Sequence, residues 1–242
     1  MERPSRAPGR PPRRAGLSPD RIAQAALEVV DTEGLDALTV RAVAARLEVA
    51  PSALYKHLAG MDALLDLVLD RIVSDVDVEV VEGTDWRDGL RALSRGLRQA
   101  LRARPGVAAV YKARDPLSPH SDRLVEAFAR CILDAGFSGD AAGHAWYTVV
   151  HYVIGFEATF AHDTTNLDRA YDPEALRTVH AHFAELDPAE FPALTQIGAS
   201  IWSPSLDERF EFGLDLILDG LQRVSTSSPS QRHGRGTARS LD

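Results

Sequence analysis

Residues 38–65 read LTVRAVAARLEVAPSALYKHLAGMDALL, and their spacing decides the fold. Val40, Val43, Ala44 and Leu47 recur at the i, i+3, i+4, i+7 spacing of one buried helical face. Thr39, just ahead, is the residue type whose hydroxyl accepts from the free amides of a first helical turn. A few residues on, Pro51 opens a second helix at the position where its missing N–H costs nothing. Leu54 and Leu58, four apart, turn that helix inward and leave Ser52, Ala53, Tyr55 and Lys56 facing out. Two short amphipathic helices joined by a tight connection build a helix-turn-helix, the element that enters a DNA major groove.

Helical periodicity continues on both sides. Upstream, Ser18 caps a helix with Pro19 in its first turn, Ile22, Ala25, Ala26, Val29 and Val30 on its inner face, and Gly34 as its stop. Downstream, the stripe from Met61 through Leu64, Val68, Ile72 and Val76 predicts a long fourth helix bridging this head to the rest of the chain. Leu90, Leu93, Leu97 and Leu101 make a fifth helix, a short helical piece runs through Tyr111, and Leu124, Phe128 and Ile132 mark another, closed at Gly136. Residues 139–161 are apolar almost all round, so that helix must be covered on more than one side. A polar loop and a short helix over 173–184 follow, and Pro188 and Pro192 come before the last helix. Ser205 and Glu208 form a capping box for the last helix, with Glu208, Glu211, Asp215 and Asp219 on a wet face and Phe210, Leu214, Ile217 and Leu221 on a dry one. No β pattern and no internal repeat appears. The fold class is all-α: a three-helix helix-turn-helix domain followed by a helical bundle.

At 242 residues, 45% hydrophobic and 26% charged, the chain has an ordinary globular balance. No apolar run approaches the roughly 18–20 residues of a membrane span, and the N-terminus lacks the apolar core of a secretory signal, so the expected compartment is the cytoplasm, with no membrane partner. The single cysteine, Cys131, excludes an intramolecular disulfide framework and reads as an inert core thiol. The net charge of −8 is unevenly spread. Residues 1–16 hold five arginines (Arg3, Arg6, Arg10, Arg13 and Arg14) against Glu2, which predicts a disordered basic arm that attracts phosphate. From Thr39 to Leu58 the only acid is Glu48, against Arg41, Arg46 and Lys56. The expected organisation is therefore a basic arm at 1–16, a helix-turn-helix domain at 17–64, a ligand-binding and dimerisation domain at 65–224, and a loose tail at 225–242.

The run Leu-Thr-x-Arg-x-x-Ala-x-x-Leu at 38–47, followed by Leu54-Tyr55-x-His57 and Leu64-Leu65, resembles the DNA-binding domain of the TetR family of one-component bacterial repressors. The stretch DERFEFGL at 207–214, with LDGL at 218–221, is similar to the last helix of tetracycline-repressor-like C-terminal domains. The resemblance covers residues 17–224. It implies DNA contacts from Thr39, Arg41, Pro51, Ser52, Ala53, Tyr55, Lys56 and His57, with Tyr55 and His57 on phosphate and Arg41 reaching a base or phosphate. Three positions depart from the pattern. Glu48 occupies the middle of the connection, where the family commonly has glycine and a left-handed turn is costlier for another residue. Met61-Asp62 stands where many relatives present a lysine. The recognition helix starts Pro51-Ser52-Ala53, with few side chains for bidentate base reading, which shifts sequence preference towards Arg41, thymine methyls and DNA shape.

On the long apolar helix His144, Tyr147 and His151 share a face, near Trp146, Tyr152, Phe156, Glu157 and Phe160. Two readings stay open for this set: a ligand pocket with an aromatic wall, expected to involve Tyr111, His144, Tyr147, His151 and Phe156, or a packed core or dimer interface. No close Cys/His ligand pattern supports a zinc site at His144, His151, His162 or His180. No Gly-rich phosphate loop, nucleophile elbow or H-E-x-x-H motif appears, so neither catalytic residues nor a cofactor is expected. The residues point to a regulator, most readily a repressor, that binds double-stranded operator DNA and is released by a small-molecule effector. The alternative is a helical binding protein or enzyme with a vestigial DNA head. A homodimer is expected through the last helix and the helix at 139–161, where Gly155, Gly213 and Gly220 permit close approach.

Overall fold

The structure, a computed structural model, describes residues 16–104, 106–114, 118–160, 173–201 and 205–227. The expected basic arm (except Gly16), His162 and the tail beyond residue 227 lie outside these. Among the described residues there are eleven α-helices and no strand. The contacts divide the chain into two compact units, residues 1–68 and 69–242.

The first unit holds α1 (Pro19–Glu33), α2 (Val40–Arg46), α3 (Pro51–Leu54) and the start of α4 (Met61–Val73). Each begins where the local chemistry asks. The Ser18 hydroxyl accepts from the Arg21 N–H at 3.3 Å, and Thr39 Oγ1 accepts from the Ala42 N–H at 3.0 Å. Gly34, at φ 86°, ends α1 in a conformation that favours glycine, and its N–H returns to the Val30 carbonyl. Ile22, Ala26, Val43, Leu54 and Leu64 are almost fully buried between these helices. The connection from α2 to α3 puts Glu48 at φ 55°, the one non-glycine with positive φ among the described residues. The left-handed turn is thus kept without glycine. The second helix of the motif is shorter than its pattern suggests. Regular α-helix stops at Leu54, and Tyr55 to His57 continue as a tighter helical turn, closed by the His57 N–H and Leu58 N–H both donating to the Leu54 carbonyl.

The second unit is organised around α8 (Gly139–Phe160), against which α5 (Trp86–Arg102), α6 (Val107–Lys112), α7 (Pro119–Asp134) and α11 (Leu206–Ser227) pack. That is the multi-sided cover its apolar circumference requires. Val149 and Val153 are fully buried in it, as are Leu90, Leu93, Leu97 and Leu101 on α5 and Phe210, Leu214 and Leu218 on α11. Gly213 is needed where α11 meets α8: a Cβ there would fall 2.2 Å from the Tyr152 hydroxyl, which donates to the Phe210 carbonyl at 2.9 Å. The other two glycines expected at a close approach, Gly155 and Gly220, face open space within the chain. α9 (Pro173–Ala184) and α10 (Pro192–Ile201) pack on each other, with Gly198 under the Phe183 ring. The sequence pattern predicts no element over 192–201, where a helix stands with Pro192 at its first position. The stripe from Met61 also ends earlier than expected, at Val73, where the Val76 N–H donating to the Val73 carbonyl tightens the chain into a turn.

The carboxylates of the last helix stay on a solvent-accessible face, as expected, but four of them are paired. Arg87, Arg91 and Arg95 on α5 pair with Asp219, Asp215 and Glu211 on α11, and Arg102 pairs with Asp207 at 2.7 Å. At the centre, Arg98 donates to Glu157 Oε1 at 2.8 Å and reaches Asp207 at 2.7 Å. Arg98 and Glu157 are buried, and the guanidinium lies 4.4 Å from the centroid of the Phe210 ring. Two series of opposite sign, acids every four residues on α11 and arginines every three or four on α5, zip together. Asp215 is held below the usual carboxylate range by its Arg91 hydrogen bond. Burial alone would raise Asp207, but Arg98 and Arg102 outweigh it and hold it low too.

Cys131 is buried against Gly89, and burial pushes its thiol up to about 11. It is a protonated, unreactive packing group at neutral pH.

Candidate functional site

The first candidate surface lies on the first unit. Thr39, Arg41, Pro51, Ser52, Tyr55, Lys56 and His57 are all exposed and Ala53 is half-buried, while Val40, Val43, Ala44, Leu54 and Leu58 between them are buried. The helical spacing separates the two faces as expected. Tyr55, at 58% exposed, presents an aromatic ring and its hydroxyl on the outer face. Thr39 Oγ1 spends a lone pair on the α2 cap, which leaves its hydroxyl proton to donate outward. Arg46 leaves the set of free cations: it turns back to Thr32, Glu28 and Glu33 of α1. Local positive charge outside therefore rests on Arg41 and Lys56. Exposed cations, hydroxyls and an aromatic hydroxyl on a rigid helical pair suit phosphate and base-edge contacts.

The second candidate is a cavity of about 170 Å³ in the second unit, between α5, α6, α7 and α8. Leu97, Leu124, Phe128, Val150 and Ile154 make its apolar wall, and Tyr111, Ser121, Trp146 and His151 bring polar atoms to it. Two of these are buried without a hydrogen bond, Trp146 Nε1 and Ser121 Oγ. Ser121 sits close enough to the Tyr111 hydroxyl to moderate its acidity, yet outside hydrogen-bond geometry. Burial dominates and raises the Tyr111 pKa, keeping the phenol protonated. His151 Nδ1 faces the Tyr147 carbonyl at 3.1 Å. A carbonyl only accepts, so Nδ1 carries the proton. Lys112 and Arg114 are the charged residues of the lining.

Of the five residues expected around a ligand, Tyr111 and His151 line this cavity and three do not. Tyr147 is 59% exposed and stacks on the His151 ring at 3.5 Å between centroids. His144 is exposed. Phe156 packs on Phe210 and Tyr152, next to Arg98. The cavity takes the 146, 150, 154 face of α8, one step round from the 144, 147, 151 face marked by polar side chains. Trp146 and Ser121 are cavity residues that the sequence does not single out. The Trp146-Val150-Ile154 spacing hints at Trp146, but α8 shows the same periodicity on every side, and nothing local marks Ser121 on α7.

Where α7 begins, Asp70 of α4 does the capping. It accepts from Ser118 Oγ at 2.5 Å, the His120 N–H at 2.9 Å and His120 Nδ1 at 2.8 Å. Burial opposes ionisation, but these hydrogen bonds prevail and hold the carboxyl below its ordinary value. No cluster of three metal-ligating side chains occurs among the described residues, and no described helix is long and apolar enough to cross a membrane.

Comparison with known proteins gives these two surfaces a family. Residues 22–68 match the family described as Bacterial regulatory proteins, tetR family, and residues 80–225 match Tetracyclin repressor-like, C-terminal domain. The HTH-type transcriptional repressor DrrR1 of Streptomyces coeruleorubidus is 31% identical over 94% of this chain and 85% of its own. The class A tetracycline repressor protein from transposon 1721 of Escherichia coli is also 31% identical, over 86% of this chain and 91% of its own. The structure of ActR from Streptomyces coelicolor in complex with actinorhodin superposes with a TM-score of 0.80 at 28% identity, covering 89% of this chain and all of that one. The exposed helix-turn-helix face and the cavity-bearing bundle are thus matched at both ends of the sequence, and the chain belongs to the tetR family of bacterial regulatory proteins.

Proposed function

We propose that this transcriptional regulator represses by binding a two-half-site operator through Thr39, Arg41, Ser52, Tyr55, Lys56 and His57, and leaves it when a small molecule fills the cavity beside Tyr111 and His151. The observation that carries the reading is the division of the first unit: every residue of this set is exposed, on helices whose other face is almost fully buried. The cavity supports the second half, since an apolar enclosure with a few converging polar groups is what small molecules occupy. ActR bound to actinorhodin shows a similar chain holding a small molecule.

α4 supplies Leu64 to the first unit and Asp70, Ile72 and Val73 to the second, so one helix carries residues of both. A ligand acts only by preferring the arrangement that binds DNA poorly, and shifts the population by its differential affinity. The working form is a homodimer. Phe212, Leu216, Gly220 and Val224 follow one another at four-residue spacing on α11, and the three side chains among them are exposed. A two-fold pairing of this stripe covers it and gives the operator its symmetry. The protein acts without catalysis, in the cytoplasm.

Selection of binding sites from random duplexes by the full-length chain tests the reading. It predicts recovery of a sequence with two related halves, bound at least about 10³-fold tighter than random duplex at fixed salt. Equal affinity for selected and random duplexes would overturn it.

A further inference from the structure

The cavity of the second unit is specific about what it lacks. Its volume, about 170 Å³, is close to the roughly 150 Å³ of an apolar cavity that holds benzene. One six-membered ring with small substituents fits, and anything longer has to leave through the mouth. The wall of Leu97, Phe128 and Ile154 is built for such a ring. Against it stand two buried polar atoms with no partner, the Trp146 Nε1–H and Ser121 Oγ. An indole nitrogen only donates, so its missing partner is an acceptor.

The charges point the same way. Lys112 and Arg114 line the cavity, and no carboxylate does among the described residues. Tyr111 remains a neutral phenol. Asp70, the acid whose field reaches Tyr111, is occupied by Ser118 and His120. A cation would enter beside the Lys112 ammonium and find a donor it cannot satisfy. We propose that the cavity takes a one-ring aromatic acid, the ring against the Leu97–Phe128–Ile154 wall and an anionic oxygen accepting from the Trp146 indole N–H beside Lys112. This rests on the reading of the second unit as the effector-binding half.

The test uses three probes of nearly equal shape, benzoate, benzyl alcohol and benzylamine, titrated into the full-length, ¹⁵N-labelled protein. The three tryptophans give three indole N–H signals, and Trp146→Phe identifies the one that matters. Benzoate should move the Trp146 signal downfield saturably and bind about ten-fold or more tighter than benzylamine, with the alcohol between them. Lys112→Gln should weaken benzoate about two- to five-fold, the worth of an exposed ion pair, and leave benzyl alcohol unchanged. Benzylamine binding as tightly as benzoate overturns the proposal, and so does a Trp146 signal that no soluble concentration of benzoate moves. DNA binding measured with the same ligands keeps the two claims apart. Benzoate bound beside Trp146 with unchanged DNA affinity supports the ligand class and refutes the effector role. Release of DNA by benzylamine, with benzoate inert, supports the role and refutes the class.

Discussion

Removing the Arg98 side chain as Arg98→Ala should be among the most damaging single changes in the second unit, although it touches neither candidate site. Glu157 is 4% exposed and accepts from Arg98 Nε at 2.8 Å. Without that donor a carboxylate is left buried among apolar side chains, a change that typically costs about 3–5 kcal/mol. The loss of a desolvated guanidinium over the Phe210 and Phe156 rings adds to it. For a domain of this size each kcal/mol lowers Tm by roughly 2–4 °C, so a fall of about 6–20 °C is expected by calorimetry at fixed protein concentration. The partner change separates cause from mere packing. Glu157→Gln leaves Arg98 still paired with Asp207 and still over the rings, and should cost much less. The double change Arg98→Met with Glu157→Leu, which removes both charges, should recover most of the loss. A fall in Tm of under about 2 °C for Arg98→Ala, or a Glu157→Gln variant equally unstable, would refute the account of a buried charge that needs its partner.

Other expectations are more local. Arg41→Ala and Tyr55→Ala should each weaken operator binding about ten-fold with no change in Tm, read by anisotropy, since both side chains are exposed. Glu48→Gly should stabilise the first unit by about 0.5–1 kcal/mol, because the left-handed turn at φ 55° strains any residue with a Cβ by more than glycine loses in chain entropy. Urea melts of the two forms decide it, and a less stable glycine variant would remove the strain argument. Asp70 has a folded pKa below its unfolded one, so its contribution is fully present above the unfolded value of about 4 and is lost as pH falls through the folded value. Asp70→Asn should therefore be less stable than the parent at pH 7, with the gap closing in acid. Leu216→Glu should break the proposed dimer in sedimentation while the half-buried Ile217 is left in place. A dimeric Leu216→Glu variant would move the interface elsewhere.

The sequence by itself determined where helices begin and which way the short ones face. Caps such as Ser18 and Thr39 act on amides two or three residues away, and the 3.6-residue period of Val40, Val43 and Ala44 is written in neighbouring letters, so both are legible along the chain. The exposed set from Thr39 to His57 follows from the same local arithmetic. What only the tertiary structure decided lies in contacts between distant residues. The acids of α11 read only as a solvated face until the arginines of α5, more than a hundred residues earlier, are laid against them. The acids repeat every four residues and the arginines every three or four, but nothing local says they meet. α8 is apolar on all sides, so its pattern has no phase, and its polar His144, Tyr147 and His151 draw the expected ligand face one step away from Trp146, Val150 and Ile154. Apolar spacing marks the buried face of a helix only when the opposite face is polar; where every side is buried, packing partners alone choose which side borders a cavity.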